Sequence, residues 1–590
     1  MRKIYHTVTF WVLGVLAQSG SLHAQLPSAS TPWWKSAVFY QIWPRSFQDT
    51  SGDGNGDLQG LTQKLAYVKH LGVDAIWLTP IFEAPSYHGY DFEDYYSVDR
   101  DYGSMQDLED FLQLAHQKGL KVIADFVINH ISNKHPNFVK SAQMEAGYED
   151  YFVWQSKEAI LQHPWKKPWD HKTNWQSVWH RSDVRLQAHK RMYPDAGPDE
   201  QRPIYYYGVF GHSQPDLNFK RQKVREDIQK VAKFWLEKGF DGFRLDAVRY
   251  IDETIHNGQL QQADTPSTIA YWNEFKSYVK SLNPDAYLVG EAWHLNETLD
   301  KYKDSFDAGF DFTFAPALVY SLTSQWIIQD KGGILDKIPK IEGLGNAIAA
   351  NFASKKQDSY DFYSLFLANH DQIRIANQLK HDKFSLQAAA TLLLTLPGPA
   401  YLYYGEEIGM TQPNFESPHD FYDDIFKRAP MLWNTGLNAG FSQSHHIWVD
   451  DGKWVPWRPH HQPWWHQHLK TQTAYDVESQ LHTPDSMLNT YKRLLKLRKQ
   501  APEFRDTRKE SLSFLPFNGH IVAFSRQSLS GSKSYVLINP KFHSAEVQVE
   551  ALVNLKPVLN PSQPNIHTAS GKIQIPARSV QVWKVIGPNP

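Results

Sequence analysis

Side chains that can do acid–base chemistry follow short apolar runs at four separate places in this 590-residue chain. Each place carries carboxylates, a histidine or an arginine, and the four read Asp125-Phe126-Val127-Ile128-Asn129-His130, Arg244-Leu245-Asp246-Ala247-Val248, Val289-Gly290-Glu291-Ala292-Trp293 and Asn369-His370-Asp371-Gln372. A lone Asp at such a place is usually an ion pair or a helix cap. Two carboxyl groups that meet in one cleft can instead supply a nucleophile and a proton donor. The set therefore predicts a catalytic centre if the fold brings the four places together.

The apolar runs belong to a repeating strand–helix pattern that can do so. Strands are predicted at eight places, near residues 38–42, 75–78, 121–126, 242–245, 287–289, 310–314, 364–367 and 400–404. Most are followed by an amphipathic stretch, and a last long helix is predicted over 486–500 with Thr483 or Asp485 as its N-cap. Eight such units predict an α/β protein with a (β/α)₈ TIM barrel, whose strand ends share one mouth.

Breaks in this pattern indicate further domains. From residue 131 to 210 the chain is polar and aromatic-rich without a clear period, which predicts a subdomain inserted after the third strand. Strand-like alternation returns near the end and predicts a C-terminal antiparallel β-sandwich. We expect a signal peptide at 1–24, the catalytic barrel at 25–130 and 211–505, an inserted domain at 131–210 and a β-domain at 506–590.

The N-terminus and the composition limit where the protein works and what it binds. Arg2 and Lys3 precede an apolar stretch over residues 8–16 and small residues up to Ala24, the layout of a secretory signal, so we expect export to the periplasm or the medium. The alternative is a tail with a chance apolar run. No later run approaches 18 apolar residues, which predicts no membrane span in the mature chain. A net charge of −2 and the lack of cysteine argue against a nucleic-acid partner and exclude disulfides. We expect a monomer without an organic cofactor.

In this order, the four polar segments resemble the conserved regions of the α-amylase family of retaining glycoside hydrolases, in its α-amylase, α-glucosidase and oligo-1,6-glucosidase group. The likeness extends over roughly residues 33–590. It includes four more segments, His88-Gly89-Tyr90-Asp91, Gln214-Pro215-Asp216-Leu217-Asn218, Tyr403-Tyr404-Gly405-Glu406-Glu407-Ile408-Gly409-Met410 and Arg428-Ala429-Pro430-Met431-Leu432-Trp433.

The resemblance implies a role for each carboxylate. Asp246 is the expected nucleophile, oriented by Arg244, and Glu291 is the expected acid/base, which must start protonated. Asp371 is expected to bind the hydroxyls of a distorted sugar ring, while Asp125 is expected to be structural. A wider set is expected to bind substrate: His88, Tyr90, Asp91, His130, Arg244, His370 and Arg428.

Oxygen-bearing residues also alternate with small ones in a loop after the first strand. Such a loop suits a hard cation, and the candidate Ca²⁺ ligands are Asp49, Ser51, Asp53, Asn55 and Asp57. An EF-hand is disfavoured because its twelfth position is Gly60 rather than a bidentate Glu. The family has a calcium loop here, with Asn in place of Ser51. A plain Gly/Asp turn is the alternative interpretation.

Two departures from the family pattern bear on the substrate. Ala247, a small residue just after the expected nucleophile, accompanies α-1,4 linkages in α-glucosidase relatives. Many calcium-dependent amylases carry Lys-His where this chain has Arg249-Tyr250, so a second metal site is not expected. The prediction is hydrolysis of α-1,4-glucosidic bonds of maltodextrins or starch-derived oligosaccharides, with endo and exo action both open. Alternatives are a transglycosylase or sugar isomerase, and a non-catalytic binding or transporter-partner relative, which the three carboxylates disfavour.

A late segment combines histidines with tryptophans. The expectation is a surface loop near the mouth, with metal binding or sugar stacking as alternatives. Its residues are His445, His446, His460, His461, His466 and His468, with Trp448, Trp454, Trp457, Trp464 and Trp465.

Overall fold

Eight parallel strands close into a barrel, as predicted. The computed structural model describes residues 31–170, 172–325, 334–413, 424–450, 464–472, 475–516, 519–550, 553–559, 566–568 and 570–586. The barrel strands in chain order are Val38–Ile42, Ala75–Leu78, Lys121–Phe126, Gly242–Leu245, Tyr287–Gly290, Ala308–Phe310, Tyr363–Phe366 and Ala400–Tyr403. The first strand pairs with both the second and the eighth, and this closes the ring. Almost every strand residue is buried because side chains fill the inside and helices cover the outside.

The sixth strand lies earlier than the predicted residues 310–314. It ends at Phe310 because Asp311 turns the chain: its carboxylate accepts the backbone N–H groups of Thr313 (2.9 Å) and Phe314 (3.2 Å). Phe314 instead begins a helix. The buried Lys355 ammonium pairs with the same carboxylate and stabilises the turn.

Helices cover the barrel on the outside. The longer ones are Leu58–Leu71, Met105–Gln117, Gln222–Lys238, Pro266–Leu282, Phe314–Thr323, Leu344–Ala353, Lys383–Thr395 and Met487–Gln500. Shorter ones are Asn296–Leu299, Ile375–Gln378, Trp464–Leu469, Val477–Leu481 and Pro502–Arg505. The predicted N-cap of the last long helix was wrong: Ser486 caps it, accepting the Asn489 N–H at 3.2 Å, while the Thr483 hydroxyl donates to Ser479 O.

Arg498, on this last helix, stabilises the barrel seam, where the first strand pairs with the eighth. Its buried guanidinium donates to the carbonyls of Leu394 (2.9 Å), Leu396 (3.1 Å) and Gly398 (2.5 Å), which precede the eighth strand. It also donates to Ser36 O at 3.3 Å, just before the first strand. The helix therefore holds the two strands that close the ring.

The segment inserted after the third strand forms its own small sheet. Strands Trp154–Gln155 and Trp179–Arg181 flank Tyr205–Tyr207 in antiparallel pairing. Helices Pro136–Ala142, Lys157–Gln162 and Asp183–Met192 surround it. A separate core holds the sheet together, and it contains Ile160, Trp165, Val178, Trp179, Tyr207 and Val209.

The C-terminal region is antiparallel, as predicted. One sheet has six strands, Leu512–Phe514, Val522–Gln527, Lys533–Asn539, Ser579–Ile586, Asn554–Pro557 and Ile566–His567, in that spatial order. Ala545–Gln548 and Lys572–Ile575 form a second sheet. Side chains of both sheets share one core, which makes a sandwich. Among the described helices none is long and apolar enough to cross a membrane.

Candidate active site

The three expected catalytic carboxylates meet at the barrel mouth. Asp246 and Glu291 directly follow the fourth and fifth strands, and Asp371 lies in the loop after the seventh. All three line one cavity of about 770 Å³. Asp246 and Glu291 are only 7% and 9% exposed, so the chemistry would take place in a largely desolvated site.

The Arg244 guanidinium contacts three carboxyl groups at the base of the site. Its Nη1 contacts Asp125 Oδ1 at 2.8 Å and Asp246 Oδ1 at 2.5 Å, and its Nη2 contacts Glu291 Oε2 at 2.8 Å. The arginine is 1% exposed, and its contacts with Asp125 and Asp246 are charge-assisted hydrogen bonds in a water-poor setting. One guanidinium therefore contacts both expected catalytic groups.

The residue after Asp246 has an unusual backbone. Ala247 lies in the left-handed region, with φ 48° and ψ 37°, a strained position for a residue with a side chain. Its N–H donates to Glu291 Oε2 at 3.2 Å. The strained turn thus links the loop of the nucleophile to the acid/base across the site.

The environment of Glu291 favours its protonated form. Burial raises the pKa of this carboxyl to about 8, with Arg244 opposing the rise and the charges of Asp246 and Asp371 adding to it. The group therefore keeps its proton at neutral pH and can donate it to a leaving oxygen.

A buried hydrogen-bond network that includes Asp125 and His370 holds Tyr90 in place. Its hydroxyl donates to Asp125 Oδ2 at 3.0 Å and lies 2.6 Å from His370 Nε2. His370 Nδ1 lies 2.7 Å from the Gln41 amide nitrogen, so Nε2 carries the imidazole proton. Burial lowers the pKa of His370 to about 3 and keeps the ring neutral. The network fixes the Tyr90 ring at the cavity wall.

Arg428 connects the third carboxylate to a further one. Its Nη2 lies 3.0 Å from Asp371 Oδ1 and 3.4 Å from Asp424 Oδ2, and its Nε donates to His370 O at 3.1 Å. Arg428, Asp371 and Asp424 all line the cavity. Asp424 was not predicted, because it follows no strand.

The predicted substrate-binding residues divide into two groups. His88, Tyr90, His130 and Arg428 line the cavity. Asp91, Arg244 and His370 are buried and are not among the lining residues, so their binding of substrate stays a prediction. Asp91 accepts a hydrogen bond from Ser86, and burial raises its pKa to about 7.

Several lining residues were not among the predicted substrate-binding residues. They are Tyr87, Lys167, Trp169, Asp170, Lys172, Phe210, Gln214, Tyr250 and Trp293. Most belong to the inserted subdomain or follow a catalytic residue closely. The density of aromatic residues in a stretch without periodicity was the signal that could have identified the first group.

In the candidate calcium loop, the side-chain oxygens of Asp49, Asp57 and Asn55 accept hydrogen bonds from within the loop and from outside it. The Asp49 carboxylate accepts hydrogen bonds from Ser51, Gly52, Gly54 and Ser442. The Asp57 carboxylate likewise accepts four, from Thr50 (N and Oγ1), Ser51 and Gly60. A carboxylate offers about four lone-pair sites, so both are filled. Asn55 Oδ1 accepts from the buried Arg45 at 2.6 Å.

The donor types suit Ca²⁺, but this arrangement does not, and within the described ranges no three His, Asp or Glu side chains are placed to hold a metal. We therefore expect EDTA to leave the melting temperature unchanged. Calorimetry with EDTA and with millimolar CaCl₂ checks this. A rise of several degrees with calcium would contradict it and would support the site predicted from the sequence.

The late His/Trp segment is partly buried where the structure describes it. Trp448, Trp464 and Trp465 are buried, and His468 Nε2 lies 3.0 Å from Thr411 O. Trp448 stacks on Tyr87 with ring centroids 5.4 Å apart and so packs behind the cavity wall. His445 and His446 are exposed. His466 is exposed too, with Nδ1 3.7 Å from Asp450 Oδ2. The remaining members, His460, His461, Trp454 and Trp457, lie outside the described residues.

Comparisons with known proteins identify the family of this chain. The family model for the alpha-amylase catalytic domain matches residues 41–507. Alpha-amylase 3 of Dictyoglomus thermophilum is 34% identical over 468 residues, which cover 79% of this chain and 78% of that protein. The oligo-1,6-glucosidase of Parageobacillus thermoglucosidasius is 31% identical, covering 79% of this chain and 84% of that protein.

Among solved structures, the trehalulose synthase of Pseudomonas mesoacidophila MX-45 superposes with a TM-score of 0.74 at 26% identity, covering 94% of this chain and all of that one. The matched family covers well over half of the chain and includes the barrel and its carboxylates. The chain is therefore a glycoside hydrolase of the α-amylase family.

Proposed function

We propose that this enzyme hydrolyses α-1,4-glucosidic bonds of maltodextrins and starch-derived oligosaccharides with retention of configuration. The observation that carries the proposal is the placement of Asp246 and Glu291 on one guanidinium in the cavity, with the pKa of Glu291 raised to about 8. A nucleophile and a protonated acid are the two groups that retaining hydrolysis requires.

The steps follow from these groups. Asp246 attacks the anomeric carbon while Glu291 gives its proton to the leaving oxygen, and a glycosyl ester of Asp246 forms. Glu291, now a carboxylate, takes a proton from water, the water oxygen bonds to the anomeric carbon, and Asp246 leaves. Two inversions give net retention. We expect Asp371 and Arg428, which both line the cavity, to bind the hydroxyls of the reacting ring.

The choice of α-1,4 bonds rests on Ala247, which lines the cavity beside Asp246. A methyl group leaves more room next to the nucleophile than the Val found with α-1,6 linkages. We also propose export, with removal of about the first 24 residues, because of the charged–apolar–small pattern at the N-terminus.

Product analysis with maltoheptaose tests the proposal. We expect α-configured products from the early time points. Glucose as the first product would indicate exo action in a closed pocket, and mixed maltose and maltotriose would indicate endo action in an open cleft. Products of β configuration would contradict the retaining mechanism.

A second candidate is a transglycosylase or sugar isomerase of the same family. It is favoured by the similarity in fold to a trehalulose synthase. In that case maltose would yield an isomeric disaccharide or products longer than the substrate, with little free glucose. The same chromatograms distinguish it from hydrolysis.

A further inference from the structure

Three aromatic side chains contact one another and form one wall of the cavity. Trp169 belongs to the inserted subdomain, Phe210 lies at the end of that subdomain, and Tyr250 follows Asp246 by four residues. The Trp169 ring lies 5.3 Å from Phe210, stacked at 30°, and 5.2 Å from Tyr250. All three line the cavity, so the wall joins two parts of the fold.

The loop that carries Trp169 is shaped by local hydrogen bonds. Among its described residues, Asp170 N donates to Lys167 O at 3.1 Å, and the Thr173 hydroxyl donates to Asp170 O at 2.9 Å. These bonds shape the turn, and the Trp169 ring reaches the nucleophile loop through its contact with Tyr250. A hydrogen bond from outside the turn would in addition fix the backbone that carries the indole.

Gln262 supplies that contact. It follows the hairpin of Thr254–His256 and Gln259–Gln261, in the long loop after the fourth strand, where Asp246 also lies. Its amide accepts Lys166 N–H at 3.2 Å and donates to Lys166 O at 2.6 Å, so one side chain pairs with both backbone groups of one residue. The same amide nitrogen lies 2.9 Å from the buried Tyr207 hydroxyl. Gln262 itself does not line the cavity.

We propose that Trp169 binds the glucose unit on the leaving-group side of the scissile bond, and that Gln262 is a positioning residue that holds the Trp169 loop against the nucleophile loop. The inference rests on the proposed hydrolysis of glucosides and adds the residues that select the second sugar. The C–H face of a glucose ring packs against an aromatic face, while its hydroxyls stay free for polar partners. Lys167 and Asp170, from the same loop, line the cavity beside the indole and offer such partners.

Two substrates, maltose and α-glucosyl fluoride, distinguish the effect of this subsite from the effect of the catalytic centre. Maltose places a glucose on the leaving-group side, whereas α-glucosyl fluoride has only fluoride there. We expect Trp169→Ala to lower kcat/KM for maltose about tenfold or more and to leave kcat/KM for the fluoride unchanged, because only the first substrate uses the wall. Gln262→Ala is expected to lower kcat/KM for maltose about three- to tenfold, mainly through KM, and also to spare the fluoride.

Gln259→Ala is the matched control, since Gln259 lies exposed on the same hairpin, three residues away, and is expected to behave as the unchanged enzyme. Equal losses for both substrates in Trp169→Ala and Gln262→Ala would mean damage to the centre and would overturn the proposal, as would no loss for either. If the unchanged enzyme releases glucose from neither substrate, the proposed function fails and this inference falls with it.

Discussion

Replacing Asp246 by Asn is expected to lower kcat/KM for maltooligosaccharides by on the order of 10⁴-fold. The amide is a poor nucleophile, so the glycosyl ester does not form. Arg244 would also lose one of its three carboxylate partners, while Asp125 and Glu291 keep theirs. The measurement is initial-rate kinetics on maltotriose with the unchanged enzyme and with Asp246→Asn, together with the circular dichroism spectra of both proteins.

The matched control is Asp285→Asn, the same chemical change at an exposed position remote from the cavity. It is expected to keep full activity. A sharper arm uses Asp246→Gly with α-glucosyl fluoride and sodium azide. Azide would attack the anomeric carbon in place of the carboxylate, release fluoride and give β-glucosyl azide. An unaltered rate in Asp246→Asn would remove this residue from the mechanism.

Replacing Glu291 by Gln is expected to lower kcat/KM for maltose by about 10²- to 10⁴-fold, the usual contribution of a general acid. The loss should be much smaller for the first step with α-glucosyl fluoride, because fluoride leaves without a proton. Glu297→Gln, at an exposed position six residues away, is the control. Equal losses on both substrates would contradict the assignment of Glu291 as the acid.

The pH profile is a separate readout of the same group. The active form carries the proton on Glu291, and the pKa of that carboxyl is raised to about 8. Activity on maltose is therefore expected to persist through neutral pH and to fall as the pH rises through about 8, since the deprotonated form has no proton to donate. An alkaline limb below pH 6 would contradict the raised pKa. In Glu291→Gln this limb should disappear.

The sequence predicted the barrel well because its signal is local. Buried strands such as Ala75–Leu78 read as continuous apolar runs, and the polar residues that follow the strands lie at one mouth by geometry. The sixth strand was misplaced because a single side chain, Asp311, ends it, and an Asx turn inside an apolar stretch has no periodic signal. Apolar pattern alone extended the strand into the helix that begins at Phe314.

The rest of the site depends on contacts between distant segments. Trp169 lines the cavity because Gln262, far along the chain, holds its loop, and neither residue belongs to a periodic element. Asp424 reaches the site through Arg428, in a loop after the last barrel strand. At the loop of Asp49, the sequence indicated oxygen-bearing residues at a spacing that suits a cation. It could not indicate the hydrogen-bond donors that contact these oxygens, such as Ser442 and Arg45.

The hydrogen bonds that Arg498 makes on both sides of the barrel seam have a consequence for how the chain folds. The first strand finds its second neighbour only when the eighth strand and the last helix are present, and these lie several hundred residues later. Contacts so distant in sequence make folding slow. Until then the first strand remains an open edge that can pair with other chains. We therefore expect fragments that end before Gly398 to aggregate on refolding, and full-length chains to refold in higher yield at low protein concentration.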